Sequence, residues 1–184
     1  VISNGTKMLG IEGHNWSEYL NRKTFVINDA HAALYAESRI GAAKGYREVV
    51  MLTLGTGVGG AILINDQIYQ GQVGRGGHLG HMSVSDDSLL DIVRTPGSLE
   101  DAIGEGTVKQ RSHGKYLATK DLVEGYEDHE PFASWVWLQS IRALSRGVIS
   151  LINILSPELI LLGGGITRAC ASLMTPLKAF MDMY

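Results

Sequence analysis

Apolar positions fall into two spacings along this chain, and together they lay out alternating strands and helices. Continuous apolar runs of strand length lie at 25–27, 49–54, 61–64 and 159–162, and such runs suit strands buried on both faces. Between residues 132 and 155, Val136, Leu138, Ile141, Leu144, Val148, Leu151, Ile152 and Leu155 recur at helical steps, which predicts one long amphipathic helix whose stripe is core. Ser156-Pro157 stops it. The run at 25–27 reads as a short buried strand that passes through Asn28-Asp29 into an alanine-rich helix over 30–43, ended by Gly41 and Gly45. His81-Met82-Ser83-Val84 reads as a further strand, Pro96 with Ser98 marks a helix start, and the buried strand at 159–162 leads through glycines to the last helix.

The stretch Leu54-Gly55-Thr56-Gly57-Val58-Gly59-Gly60 joins two of these strands through glycines. Each glycine inside a strand costs roughly 0.5–1 kcal/mol relative to alanine, so this hairpin suggests bare backbone whose N–H groups face an anion. A P-loop is excluded because neither the lysine nor the following helix is there, and the dinucleotide fingerprint also needs that helix. Asn65-Asp66 then turns into Gln67-Ile68-Tyr69, which makes strand–turn–strand the reading. A glycine-rich hairpin without a ligand is the alternative. Gly163-Gly164-Gly165 forms a second strand-to-glycine junction, and the two junctions are placed to face one crevice at the carboxyl ends of their strands. The glycine-rich segment 71–80 reads as a loop over that site.

Composition narrows the function classes. The 184 residues are 45% hydrophobic, enough for a packed core, and the net charge of −3 is spread along the chain without a basic face for nucleic acid or an anionic membrane. No apolar run approaches the roughly 20 residues that span a bilayer, and no signal-peptide pattern opens the chain, so a cytoplasmic protein is expected. The single cysteine, Cys170, excludes an internal disulfide and reads as a buried small residue. His14, His113 and His129 read as surface or packing residues. The chain starts at Val1, with further glycines at Gly5, Gly10 and Gly13, and both ends read as cut from a longer parent.

Five segments occur in one order: Asn28-Asp29-Ala30-His31-Ala32-Ala33-Leu34-Tyr35-Ala36-Glu37, the 54–60 loop, Gly80-His81-Met82, Glu100, and Leu162-Gly163-Gly164-Gly165-Ile166. This ordered set resembles the ROK family of sugar kinases and sugar-responsive repressors, within the actin-like/hexokinase ATPase superfamily. The resemblance implies an α/β fold of the actin-like (ribonuclease H-like) type, with a mixed sheet flanked by helices. Residues 1–24 would be the end of an N-terminal lobe and hinge, and residues 25–184 the C-terminal lobe. It implies ATP with Mg2+ as co-substrate, a hexose or N-acylhexosamine as substrate, and little activity for this segment alone. A homodimer is compatible with it. The rival is a non-enzymatic repressor whose sugar-sensing lobe is this one, preceded by a helix-turn-helix.

Through that resemblance Asp29 is the general base and Asn28 a sugar ligand, with Gly57, His78, His81 and Glu100 also at the sugar. Gly55, Thr56 and Gly57 would meet the ATP phosphates, and Gly163, Gly164 and Gly165 the adenosine. Without the resemblance, the residues alone favour Asp29 as the cap of the 30–43 helix. Two departures stand out. Where the family holds zinc by one histidine and three cysteines, this chain keeps His81 but has Asp91, Val93 and Ser98 at the cysteine positions, so no structural zinc is expected. At His78 the family often has a glutamate, and an imidazole there, which can also donate, alters which sugar group is preferred.

Overall fold

The structure, a computed structural model, describes residues 13–184. Gly5, Gly10 and the first half of the 1–24 segment therefore lie outside the described residues. The helices are α1 (Trp16–Tyr19), α2 (Asp29–Ile40), α3 (Leu99–Ile103), α4 (Val108–Arg111), α5 (Thr119–Glu127), α6 (Pro131–Leu155) and α7 (Ala171–Met181). The strands are β1 (Val49–Leu54), β2 (Val58–Ile64), β3 (Gln67–Ile68) and β4 (Leu159–Gly163).

The strands form one mixed sheet in the order β3-β2-β1-β4. β1 runs antiparallel to β2, with Val49 opposite Leu63 and Leu54 opposite Val58. It runs parallel to β4, with Val49 opposite Leu159 and Thr53 opposite Gly163. Successive side chains on β1 point to opposite faces. Val50, Leu52 and Leu54 join Trp137, Ile141 and Leu144 of α6 in the larger core, while Val49 and Met51 pack with Ala30 and Leu34 of α2. The sheet thus lies between two helical layers, which is why β1 is apolar at every position but Thr53. Each fully buried Leu or Ile there contributes roughly 1.5–3 kcal/mol by leaving water.

Local rules explain where the helices begin and end. Asn28 caps α2 by accepting from the N–H groups of Ala30 and His31, and α2 stops at Gly41, three residues short of its predicted span. Pro131 opens α6 at a position where its missing N–H is harmless. Ser156 ends α6 in the left-handed conformation, φ 46°, and Trp137 Nε1 donates to the Ser172 carbonyl at 2.9 Å, tying α6 to α7.

Four expectations are corrected. Phe25, Val26 and Ile27 form no strand: they are exposed, Phe25 at 80%, because no described strand pairs with them. His81 closes a 3-10 turn, Leu79–His81, and the only pairing nearby is the single Ser83–Ser98 bridge, so 81–84 is not a strand. β4 is half-buried throughout because it is an edge of the described sheet. Cys170 is exposed, at φ 44° before α7, and a 3-10 turn, Gly165–Ala169, lies between Gly164 and Cys170. His14, His113 and His129 are exposed.

Candidate functional site

The turn between β1 and β2 is built so that its carbonyls are occupied while two of its donors are not. Gly55 N–H donates to the Gly57 carbonyl at 3.0 Å, and the carbonyls of Gly55 and Thr56 accept from Glu105 N–H and Gly106 N–H at 2.9 and 2.8 Å. Among the described residues the N–H groups of Thr56 and Gly57 have no acceptor. Two adjacent free amides at a strand end are suited to an anion. The 104–107 turn that holds them is itself clamped by Arg111, which donates to the Gly104 carbonyl at 2.9 Å, to Thr107 Oγ1 at 3.2 Å and to Ser140 Oγ. Burial pulls the Arg111 pKa down to about 10, so it remains a cation at neutral pH.

Glu100 comes in from α3, whose N-cap Ser98 accepts from Asp101 N–H at 3.2 Å. Its Oε2 accepts from Val58 N–H at 3.0 Å, and a Cβ on Gly57 would run into that same oxygen. Gly57 and Glu100 are therefore one unit.

Asn28 and Asp29 stand at the start of α2. The cap is Asn28, whose Oδ1 takes the N–H groups of Ala30 and His31 at 3.0 and 3.2 Å, so the alternative that Asp29 caps this helix is set aside. This leaves the Asn28 NH2 for a ligand. Asp29 is exposed at the positive end of the helix, where a carboxylate is well placed, and one of its oxygens accepts from Ala30 N–H at 2.9 Å. Ala30 seats the pair on β2, since a Cβ on Gly59 would lie 3.4 Å from the Ala30 Cβ. His31, buried, turns Nε2 to the Gly76 carbonyl at 2.9 Å; a carbonyl only accepts, so Nε2 carries the proton. His31 thus pins the 71–80 loop to the helix that bears Asp29. Sequence reasoning gave it no role, and the signal was a lone histidine on the inward face of an alanine-rich helix.

The 71–80 loop ends with Gly80 pressed so closely on β2 that a Cβ would collide with the Val58 carbonyl. This sets His78 and His81 beside the strand. Their ring centres are 6.3 Å apart. Burial first, then the neighbouring Arg75, His81 and His31, hold the His78 pKa below the usual imidazole value. His81 Nδ1 meets Asp91 Oδ2 at 2.8 Å, and Asp91 Oδ1 accepts from Val93 N–H at 2.9 Å and Thr95 N–H at 2.8 Å. Burial alone would raise the Asp91 pKa, but hydrogen bonds from Thr95, His81, Val93 and Ser98 outweigh it and the net shift is downward. These residues do not fit a tetrahedral zinc. Val93 has no donor atom, Ser98 Oγ is engaged as a cap, and both Asp91 oxygens are held by hydrogen bonds.

The second glycine junction meets the first. β4 and β1 end side by side, and Gly164, at φ 98°, lies so close to Leu54 that a Cβ would sit 2.8 Å from the Leu54 nitrogen. Around a Gly165 Cβ, by contrast, there is open space to 4 Å. Asn28, Asp29, the 55–57 turn, Glu100, His78, His81 and Gly163–Gly165 thus gather around the ends of β1 and β4 and the start of β2. A separate cavity of about 330 Å³ opens between α3 and α6, lined by Asp101, Arg111, Trp135 and Arg146, and it holds none of the ligand-binding residues expected from the sequence.

The ROK family matches residues 13–184. The glucokinase of Thermotoga maritima is 32% identical over 175 residues, covering 85% of this chain and 55% of that protein. The N-acetylmannosamine kinase of Vibrio cholerae is 29% identical over 151 residues, covering 81% and 52%. Among solved structures, the ROK hexokinase of Thermus thermophilus superposes with a TM-score of 0.80 at 26% identity, covering 91% of this chain and 59% of that one. A ROK family glucokinase from Streptomyces griseus, in complex with glucose and AMPPNP, superposes at 0.77 with 24% identity, covering 91% and 60%, and shares the fold. The chain spans about half the length of the curated relatives it matches.

Proposed function

The chain belongs to the ROK family of the actin-like ATPase fold, and from that premise we propose that it forms the C-terminal lobe, residues 25–184, of an ATP-dependent kinase for a hexose or N-acylhexosamine. Residues 1–24 would lead in from the other lobe. The observation that carries this reading is the Asp29 carboxylate: exposed, relieved of capping by Asn28, and fixed beside the glycine turn through the Ala30–Gly59 contact.

In the proposed reaction Asp29 accepts the proton of a sugar hydroxyl as that oxygen bonds to the γ-phosphorus and the bond to the bridging oxygen of ADP breaks. The Asn28 NH2, Glu100, His78 and His81 orient the sugar, and the free amides of Thr56 and Gly57 face the developing phosphoryl charge. Gly163, Gly164 and Gly165 give the nucleotide a surface without side chains. Mg2+, arriving with the nucleotide, offsets phosphate charge. An ATP-dependent step suits a cytoplasmic protein, and no described helix is long and apolar enough to cross a membrane.

The test is sugar-dependent ADP release by the whole protein across hexoses and N-acylhexosamines, beside its Asp29→Asn variant. Turnover with one sugar that collapses in the variant is expected. Sugar binding without any turnover would favour the repressor reading.

A further inference from the structure

We infer that Asp91 is a positioning residue that fixes the ring proton of His81 on Nδ1, so that Nε2 meets the ligand as a hydrogen-bond acceptor. Asp91 Oδ1 faces two backbone N–H groups, Val93 and Thr95, which can only donate. Oδ2 faces His81 Nδ1 at 2.8 Å, and the Asp91 side chain is 0% exposed. The hydrogen bonds that converge on this carboxylate keep it ionised, so it has no proton to offer. Nδ1 must therefore donate. In the singly protonated ring this leaves Nε2 bare; ring geometry points Nε2 away from Asp91, and the His81 side chain is 20% exposed.

The loop that carries Asp91 is shaped for this task. Asp91 N–H donates to the Thr95 carbonyl at 3.0 Å, Arg94 N–H returns to the Asp91 carbonyl at 2.9 Å with Arg94 at φ 71°, and Leu90 bridges to Pro96. Ser98, two residues on, caps the helix that carries Glu100. One hydrogen-bonded loop thereby sets both His81 and Glu100. A zinc ion on Nδ1 would impose the opposite polarity, since the proton would then sit on Nε2 and donate. The donor set here does not fit zinc, and the carboxylate supplies the orientation that a metal would otherwise supply.

A chemical selection follows. Whatever ligand group meets Nε2 must donate, so a hydroxyl or an amide N–H is accepted there, whereas a carbonyl oxygen is not. Assigning that ligand to a sugar rests on the kinase reading above; the ring proton does not.

The experiment is a long-range proton–nitrogen correlation spectrum of the whole protein, carrying ¹⁵N-histidine, at about pH 8.5, above the ordinary imidazole range. His81 is assigned by its loss in His81→Gln. Native His81 is expected to show the proton on Nδ1. In Asp91→Asn the amide oxygen stays with the two backbone N–H groups, the NH2 takes the place of Oδ2, and the His81 pattern inverts to Nε2–H. The sugar KM then rises roughly 10- to 100-fold with kcat less affected, as an acceptor replaced by a donor implies. A native Nε2–H pattern, an unchanged pattern in Asp91→Asn, or stoichiometric zinc bound through Nδ1 would overturn the inference. Should Asp91→Asn fail to fold, the native spectrum alone decides. Absence of turnover with every sugar would remove the kinase reading, while the position of the ring proton would still decide the role of Asp91.

Discussion

Replacing Gly57 by alanine tests the coupling between the glycine turn and Glu100. Gly57 has no positive φ, so alanine suits its backbone, and the entire cost should come from the added methyl group. That methyl meets the carboxylate end of Glu100, with Cδ only 3.0 Å away, and forces the flexible side chain aside. The Val58 N–H then loses its 3.0 Å bond to Oε2, in a residue that is 4% exposed. A hydrogen bond to a charged group is worth about 1.5–3 kcal/mol, which corresponds to roughly 10- to 150-fold in an equilibrium constant. The expected outcome is a loss of that size in urea stability and a similar factor in sugar KM for the whole protein. Gly55→Ala is the contrast, because a Cβ there meets only the Gly57 carbonyl at 4.0 Å. In a double-mutant cycle, Gly57→Ala should cost little once Glu100→Ala has removed the obstacle. Additive losses, or equal losses for Gly55→Ala and Gly57→Ala, would refute this coupling.

Three further outcomes can be measured. Asp29→Asn should lower kcat by about 10²–10⁴ and leave the urea midpoint nearly unchanged, since Asp29 is exposed and does not cap, whereas Asn28→Ala should cost about 1 kcal/mol of stability through the lost cap. Gly164→Ala should destabilise by about 1–3 kcal/mol from its φ of 98° alone, and more through the contact with Leu54; Gly165→Ala, in open space, should not, and equal melting temperatures for the two would sink this reading. Glu158 accepts from Arg47 N–H and Glu48 N–H at 2.6 and 3.0 Å, which holds its pKa below the ordinary value. A depressed folded-state pKa contributes stability above the unfolded value of about 4.3 and loses it as pH falls through the folded value. Glu158→Gln should therefore be less stable than the native protein at about pH 6, and the gap should narrow as pH falls below about 4.3 toward the depressed folded-state value; a gap that stays constant in acid would show that the charge is not responsible.

Legibility in the sequence tracked how local the cause was. β1, the glycine turn and α6 were readable because burial on both faces, or along one stripe, leaves a period in the chain itself. The Ser98 cap was readable because its cause is local too, a serine side chain accepting from the helix that follows it. Phe25-Val26-Ile27 misled because apolarity signals burial without saying against what, and β4 because an edge strand keeps the composition of a central one. Of the site, the residues that resemble a known family were visible, but their supports were not. His31 holding Gly76, Arg111 holding Gly104 and Asp91 holding His81 are contacts between segments that only the folded chain brings together.

The β1–β4 pairing sets an order of assembly. Glu48 and Glu158, which meet at its entrance, are 110 positions apart, whereas β1, β2 and β3 follow one another through short turns. The loop that this pairing closes contains α6, and its closure entropy must be met before the parallel contacts form. During folding the β1–β2 hairpin is therefore paired while the surface at Gly163–Gly165 does not yet exist. Pulsed hydrogen exchange during refolding should protect β1 and β2 before β4, and simultaneous protection would contradict this order. Substitutions in the buried stripe of α6, far from any ligand, would then delay completion of the crevice through the rate at which its second wall arrives.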